Sequence, residues 1–217
     1  MAFSPYDPNE PVKRHRLRLP HWQQRDRTYF ITSRLADSVP ASVRKTWVSQ
    51  RKAWLSQRGV KSDKDLGKLP EEERNEFHRK FTAKFHDLLD AGRGACWLAK
   101  PEIAKVLADL LMEGHGKRYL LDAWIVMPNH FHVLVEPGEG ERLGHIVKQW
   151  KGASARLIHQ MIGSSGSFWQ AEAFDHIVRS EKQPMHFRRY IADNPKKARL
   201  SRGYMMGMGN AVMDFSP

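Results

Sequence analysis

Cysteine is almost absent from this chain. Cys96 stands alone among 217 residues. No intramolecular disulfide can form, and no thiolate cluster can hold zinc. This fits a reducing compartment, so a cytoplasmic location is expected. There is no run of eighteen apolar residues, which argues against a transmembrane helix. Met1 to Val12 lacks the apolar centre of a secretory signal, so secretion is not expected. Internal repeats and low-complexity blocks are missing too. Acidic residues are in deficit: 24 Asp and Glu face 36 Lys and Arg, a net charge of +12. What remains, 41% hydrophobic, suffices for the core of one domain with an insertion.

The charge is unevenly placed. Residues 1–60 carry 12 basic and 4 acidic side chains, residues 61–140 carry 12 and 14, and residues 141–217 carry 12 and 6. Positive charge thus gathers at the two ends. With a pI near 10.0, that asymmetry points to a polyanionic partner, most simply nucleic acid.

Pattern and punctuation divide the chain. Residues 1–26 read as a basic N-terminal arm, with Lys13, Arg14, His15, Arg16 and Arg18 close together. The run from Thr28 to Thr32 is β-branched and aromatic and predicts a first strand. A helix is expected over 41–57. Another starts at Pro70-Glu71 and carries Phe77, Phe81, Phe85, Leu88 and Leu89 at helical spacing, until Gly92 and Gly94 stop it. The stretch 41–95 reads as a helical insertion. A helix from Pro101, a hairpin of strands 119–126 and 130–136, a long amphipathic helix over 143–161 and a short strand over 174–178 follow. A last helix is expected over 181–193, stopped by Pro195. Residues 27–200 form the expected catalytic domain, and 201–217 a flexible C-terminal tail. This order predicts an α+β fold, an antiparallel sheet with helices packed mainly on one face.

The most informative stretch is Met127-Pro128-Asn129-His130-Phe131-His132-Val133-Leu134-Val135. Side chains alternate along a strand, so His130 and His132 share one face while Phe131, Val133 and Val135 point to a core. Two imidazoles on one face suit a divalent metal with positions left for a further ligand and a substrate. Two ordinary half-buried histidines would show the same spacing, so other parts of the site are needed.

The last helix supplies them. Tyr190 and Asn194 are spaced i, i+4 and share a helix face. Asn194 offers a neutral oxygen, and with two imidazoles makes a mixed N/O site suited to Mg²⁺ or Mn²⁺. Tyr190 is a candidate nucleophile toward a metal-polarised phosphate. Arg188, Arg189, Lys196 and Lys197 flank it. Pro195 disfavours a helical conformation at Asn194, which places Asn194 at the helix end.

Three segments together are more specific. Met127-Pro128-Asn129-His130-Phe131-His132, Trp169-Gln170-Ala171-Glu172-Ala173-Phe174-Asp175-His176-Ile177-Val178-Arg179 and Tyr190-Ile191-Ala192-Asp193-Asn194-Pro195-Lys196-Lys197-Ala198 resemble the IS200-like transposase family, in particular its REP-associated tyrosine transposase branch. The likeness runs from about Arg14 to Leu200. It implies a single-tyrosine HUH endonuclease with a ferredoxin-like antiparallel sheet. It implies metal ligation by His130, His132 and Asn194, with Mg²⁺ or Mn²⁺ as cofactor. Tyr190 corresponds to the nucleophile that ends as a 5′-phosphotyrosine and releases a 3′-OH. The implied partner is single-stranded DNA with palindromic hairpins and an unpaired guide sequence, met at the nucleoid. Neither a membrane nor a small-molecule substrate is expected, and a homodimer with a site shared between chains stays open. Two features depart from the family pattern: Arg199 stands where glycine is frequent, and the section around 61–90 is longer than in compact members.

On the substrate side, Arg14, Arg16 and Arg18 of the arm are candidate DNA contacts. Lys148, Lys151 and Arg156 are expected to line a phosphate track, and Arg179, Arg189, Lys196 and Lys197 to surround the nucleophile. Trp150 reads as structural, and Trp169 as either a base contact or a packing residue. Two other readings remain: a domesticated protein that holds hairpin DNA or RNA without cutting, and a metal hydrolase that uses water with Tyr190 structural.

Overall fold

The computed structural model describes residues 4–16, 20–60, 63–83 and 94–216. The strands are β1 (Lys13–Arg16), β2 (Pro20–Gln23), β3 (Tyr29–Arg34), β4 (Tyr119–Met127), β5 (His130–Pro137), β6 (Phe174–Ile177), β7 (Tyr204–Met208) and β8 (Ala211–Ser216). The α-helices are α1 (Ala41–Gln57), α2 (Glu71–Phe77), α3 (Pro101–Glu113), α4 (Leu143–Ile162) and α5 (Gln183–Lys197).

The main sheet has six antiparallel strands in the order β6-β3-β5-β4-β7-β8. Its first four strands, taken in chain order, stand 4-1-3-2, with helices between the first and second and between the third and fourth. That is the ferredoxin-like arrangement implied by the resemblance. The hairpin β4–β5 lies at its centre, joined by the Pro128-Asn129 turn.

Strand alternation divides the sheet into two faces. Ile31, Trp124, Val126, Phe131, Val133 and Val135 point to one side and pack with Leu107, Leu111, Ile146, Trp150 and Ile158 of α3 and α4. Most of these are fully buried, and each such side chain contributes about 1.5–3 kcal/mol of transfer free energy. Phe30, Ala123, Ile125, Met127 and Leu134 point to the other side, where α5 lays Ile191, Phe187 and Tyr190 across them. A bulge between Leu121 and Trp124 resets the alternation of β4. It brings Asp122 to the α5 side, where Arg188 grips its carboxylate with two hydrogen bonds of 2.8 and 3.0 Å.

Several expectations change. Residues 201–217 are not a free tail as far as they are described: β7 and β8 form a hairpin that extends the sheet beyond β4. Gly207 permits this, because a Cβ there would lie 2.7 Å from the Trp124 ring and 2.1 Å from the Ala211 carbonyl oxygen. The N-terminal arm is also docked in part. Tyr6 N–H donates to the Val178 carbonyl at 2.7 Å, and the Thr28 hydroxyl and Ser4 N–H both reach the Glu136 carboxylate. The helix from Glu71 passes into a π-helical segment over His78–Ala83. Its expected continuation through Phe85, Leu88 and Leu89 lies outside the described residues. Within the insertion, Trp54, Leu55, Val60, Leu69, Phe77 and Phe81 make a small core of their own.

Pro195 does not stop the last helix. α5 runs through it to Lys197. Proline removes one N–H, but here the next turn closes by a C-terminal motif. Leu200 N–H donates to the Pro195 carbonyl and Arg199 N–H to the Lys196 carbonyl, with Arg199 left-handed at φ 55°. Asn194 is therefore helical, and i, i+4 geometry from Tyr190 holds.

Candidate active site

The imidazoles of His130 and His132 lie on the α5 side of β5, buried to 1% and 0% exposure. Their Nε2 atoms converge to 3.1 Å. Each ring is oriented from behind. His132 stands directly opposite Thr32 of β3, whose hydroxyl meets Nδ1 at 2.7 Å. The Asn129 side-chain oxygen meets His130 Nδ1 at 2.7 Å. An amide oxygen only accepts, so that contact puts the His130 proton on Nδ1 and leaves the Nε2 lone pair directed at His132. Two buried nitrogen atoms aimed at each other in this way share a proton or a cation between them.

Tyr190 closes the site from α5. Its ring meets the His132 ring edge-on at 5.2 Å and the Phe30 ring at 5.6 Å. Phe30 in turn stacks on His132 and on Phe187. The Lys197 ammonium lies 4.5 Å from the Tyr190 ring centroid. One turn past Tyr190, Asn194 is fully buried, and neither atom of its amide has a hydrogen-bond partner. A buried amide without partners is costly, on the order of 1–3 kcal/mol, and calls for a ligand.

Among the described residues no three His, Cys, Asp or Glu side chains gather as a metal cluster. A cation at the histidine pair needs a ligand of another type, and the partnerless Asn194 oxygen is one. Two buried imidazoles with a phenol beside one of them, and a buried neutral amide oxygen one helical turn further, make a donor set that suits a divalent metal.

The basic residues divide. Lys148, Arg156, Arg179, Arg189, Lys196 and Lys197 are exposed, and the last three lie on the helix that carries Tyr190. Lys151 is already committed: its ammonium donates to the Gln170 and Ala171 carbonyls at 2.6 and 2.9 Å, and burial lowers its pKa. It shapes the loop before β6 and is not part of an open phosphate track. Arg188 is likewise held by Asp122: the hydrogen bonds to that carboxylate, and then its charge, raise the arginine's pKa. It anchors α5 to β4. Arg14 and Arg16 lie on β1, and Arg18 falls outside the described residues. Trp150 and Trp169 are both core, the latter donating to the Ser154 hydroxyl at 3.0 Å.

Sequence reasoning missed Thr32, Asn129 and Phe30. Thr32 and Phe30 sit within the first predicted strand, but only register shows which of its residues oppose the histidines. Asn129 adjoins His130 in the motif and was read only as a turn residue.

Residues 99–194 match the family described as Transposase IS200 like. An uncharacterized protein of Haemophilus influenzae is 25% identical in an alignment of 99 residues that covers 35% of this chain and 53% of that one. The chain thus spans about half the length of that curated relative. Among solved structures, a REP-associated tyrosine transposase bound to a REP hairpin is 16% identical, with a TM-score of 0.41 over 82% of this chain and 71% of that one. A candidate transposase from Deinococcus radiodurans is also 16% identical, with a TM-score of 0.34 over 77% and 89%. The matched residues 99–194 are similar to the IS200-like transposase family and include both histidines, the tyrosine and the asparagine.

Proposed function

We propose that this protein nicks and rejoins single-stranded DNA at hairpins, with Tyr190 as nucleophile. The observation that carries the reading is the Tyr190 ring against a converged, buried histidine pair, with a partnerless Asn194 amide one turn away. His130, His132 and Asn194 would hold a divalent metal, Mg²⁺ or Mn²⁺. When bound, such a metal supplies Lewis-acid polarisation of a phosphodiester oxygen.

The chain's own groups account for the remaining steps. Thr32 and Asn129 fix the imidazole orientations, and the Phe30–Phe187 stack keeps water from the floor. Lys197, Lys196 and Arg189 attract the DNA backbone. The Tyr190 oxygen attacks phosphorus as its proton leaves. The new bond is tyrosine O–P, the P–O3′ bond breaks, and the departing oxygen takes a proton to become a 3′-OH. The 5′-phosphotyrosine keeps one phosphate ester for another, so a 3′-OH can reverse the step and rejoin strands. The hairpin named with the REP-associated neighbour makes hairpin-bearing DNA the substrate to try. The place of action would be the cytoplasm, at the nucleoid.

The test uses labelled hairpin-bearing single-stranded DNA with Mg²⁺ or Mn²⁺, resolved on a denaturing gel. Label should migrate with the protein, and should be lost with Tyr190→Phe and with a chelator. Metal-dependent cleavage without an adduct would instead select a water-using hydrolase. Hairpin affinity without cleavage would select a binding protein.

A further inference from the structure

Lys and Arg number 36 in this chain, yet the six strands of the main sheet hold one among them, Arg34. It closes β3 on the face of the sheet that carries the histidines. Phe30 and Thr32 of that strand both meet His132. Ile31 and Leu35 belong to the core on the other face. Alternation therefore groups Arg34 with Phe30 and Thr32. Strand register sets Arg34 directly opposite His130, as it sets Thr32 opposite His132. Residues so opposed have Cβ atoms about 4.5–5.5 Å apart.

The backbone here is fixed on two sides. Gln170 N–H donates to the Arg34 carbonyl at 3.0 Å, and Leu35 N–H donates to the Asn129 carbonyl at 2.8 Å. The second bond ties the end of β3 to the residue whose side chain holds His130. The Arg34 side chain is half-buried, with one guanidinium nitrogen enclosed. A guanidinium spreads five N–H donors over three nitrogens in a planar fork that matches phosphate, so one enclosed nitrogen does not exhaust it. Lys196, Lys197 and Arg189 are exposed, and water and salt screen them. Arg34 lies at the edge of a buried floor, where a charge acts more strongly.

We propose that Arg34 is a catalytic residue, whose guanidinium contacts a non-bridging oxygen of the scissile phosphate and meets the charge that gathers there as Tyr190 attacks. The proposal rests on the DNA-nicking reading above. In that step the Tyr190 O–P bond forms and the P–O3′ bond breaks, and Arg34 keeps its proton throughout. The exposed cations draw the DNA backbone in, and Arg34 acts at the reacting phosphorus.

The experiment measures the rate of adduct formation at saturating hairpin DNA with Mn²⁺. Three substrates are compared: the ordinary phosphodiester, and each separated diastereomer with sulfur in place of one non-bridging oxygen at the cleaved position. Arg34→Gln should slow the ordinary substrate about a hundredfold, the scale of one lost donor to a developing charge. On one diastereomer the same substitution should cost less than about tenfold, because sulfur has already weakened that contact, and on the other the full hundredfold. Hairpin affinity in chelator, read by fluorescence anisotropy, should stay within about threefold of wild type, one phosphate contact among many. Arg34→Lys keeps the charge and loses the fork; it should show a smaller loss with the same difference between diastereomers, and it decides the matter if the glutamine variant does not fold. Equal slowing on both diastereomers, an unchanged rate, or a loss confined to affinity overturns the role of Arg34 and leaves the DNA reading intact. No adduct from the wild-type protein on any hairpin overturns both.

Discussion

At the scale of single residues, the site is a trade of stability for chemistry. Asn194 is buried with an amide that has no partner. Replacing it with leucine, which has the same branching and number of side-chain heavy atoms, removes two unmet polar groups. Asn194→Leu should stabilise the metal-free protein by about 1–2 kcal/mol, a rise in Tm of several degrees for a chain of this size. It should also abolish any rise in Tm on adding Mn²⁺. Thermal melts with chelator and with Mn²⁺ check both halves. A lower Tm in chelator would mean that Asn194 has partners the structure does not show. Tyr29 offers a different marker. Burial pushes its phenol up to about 12, and its hydroxyl donates to the Gln24 carbonyl at 2.7 Å. A raised folded pKa contributes stability that is whole below the unfolded value of about 10 and is lost as pH rises toward 12. Alkaline unfolding in that window should flatten in Tyr29→Phe, as followed by tryptophan fluorescence.

At the scale of elements, α5 decides the site, and it is held at both ends of its contact with the sheet. Arg188 and Asp122 fix its first half. The C-terminal motif after Pro195 fixes its last turn, and there Arg199 occupies a left-handed conformation that costs an L-residue about 1 kcal/mol. Arg199→Gly should raise stability by about 0.5–1 kcal/mol and leave adduct formation unchanged, since glycine keeps the backbone N–H that bonds the Lys196 carbonyl. Chemical denaturation would show it as a higher midpoint with an unchanged slope. Equal or lower stability would mean that the arginine side chain contributes a contact which offsets the strain.

At the scale of the whole molecule, His132 and Tyr190 meet within a single chain, with His130 against His132 and Asn194 one helical turn past Tyr190. The sequence left open whether a homodimer would share the site. The 5.2 Å contact between the His132 and Tyr190 rings of one chain favours assembly in cis. Mixing a Tyr190→Phe protein with a His132→Ala protein should then restore no activity. Recovery toward a quarter or more of the wild-type level, through an exchanged helix, would establish assembly in trans. Among the described residues the insertion contributes no side chain to the site, and it carries its own small core. Its ends are drawn together where the Asp37 carboxylate accepts from Ala95 N–H at 2.7 Å.

Much of this was legible along the chain because it depends on short-range periodicity. Alternation of period two put His130 and His132 on one face of β5 and the valines on the other. The i, i+4 spacing put Asn194 beside Tyr190. The basic ends and the absence of apolar spans are sums over residues and need no fold. The rest depended on contacts between distant segments. Thr32 reaches His132 across 100 positions of sequence through strand register. Lys151 and Arg188 lost their expected freedom to partners brought in by the loop before β6 and by a bulge in β4. Residues 204–216, read as a tail, gain order only because β4 leaves an unpaired edge and Gly207 lets the hairpin approach Trp124. Pro195 stays helical although it lacks an N–H, and the turn beyond it closes on the Pro195 and Lys196 carbonyls. Sequence alone determined which chemical groups are present and which face of each element carries them. Tertiary structure decided which of them meet, because hydrogen bonds and burial between distant segments exist only once the sheet has closed.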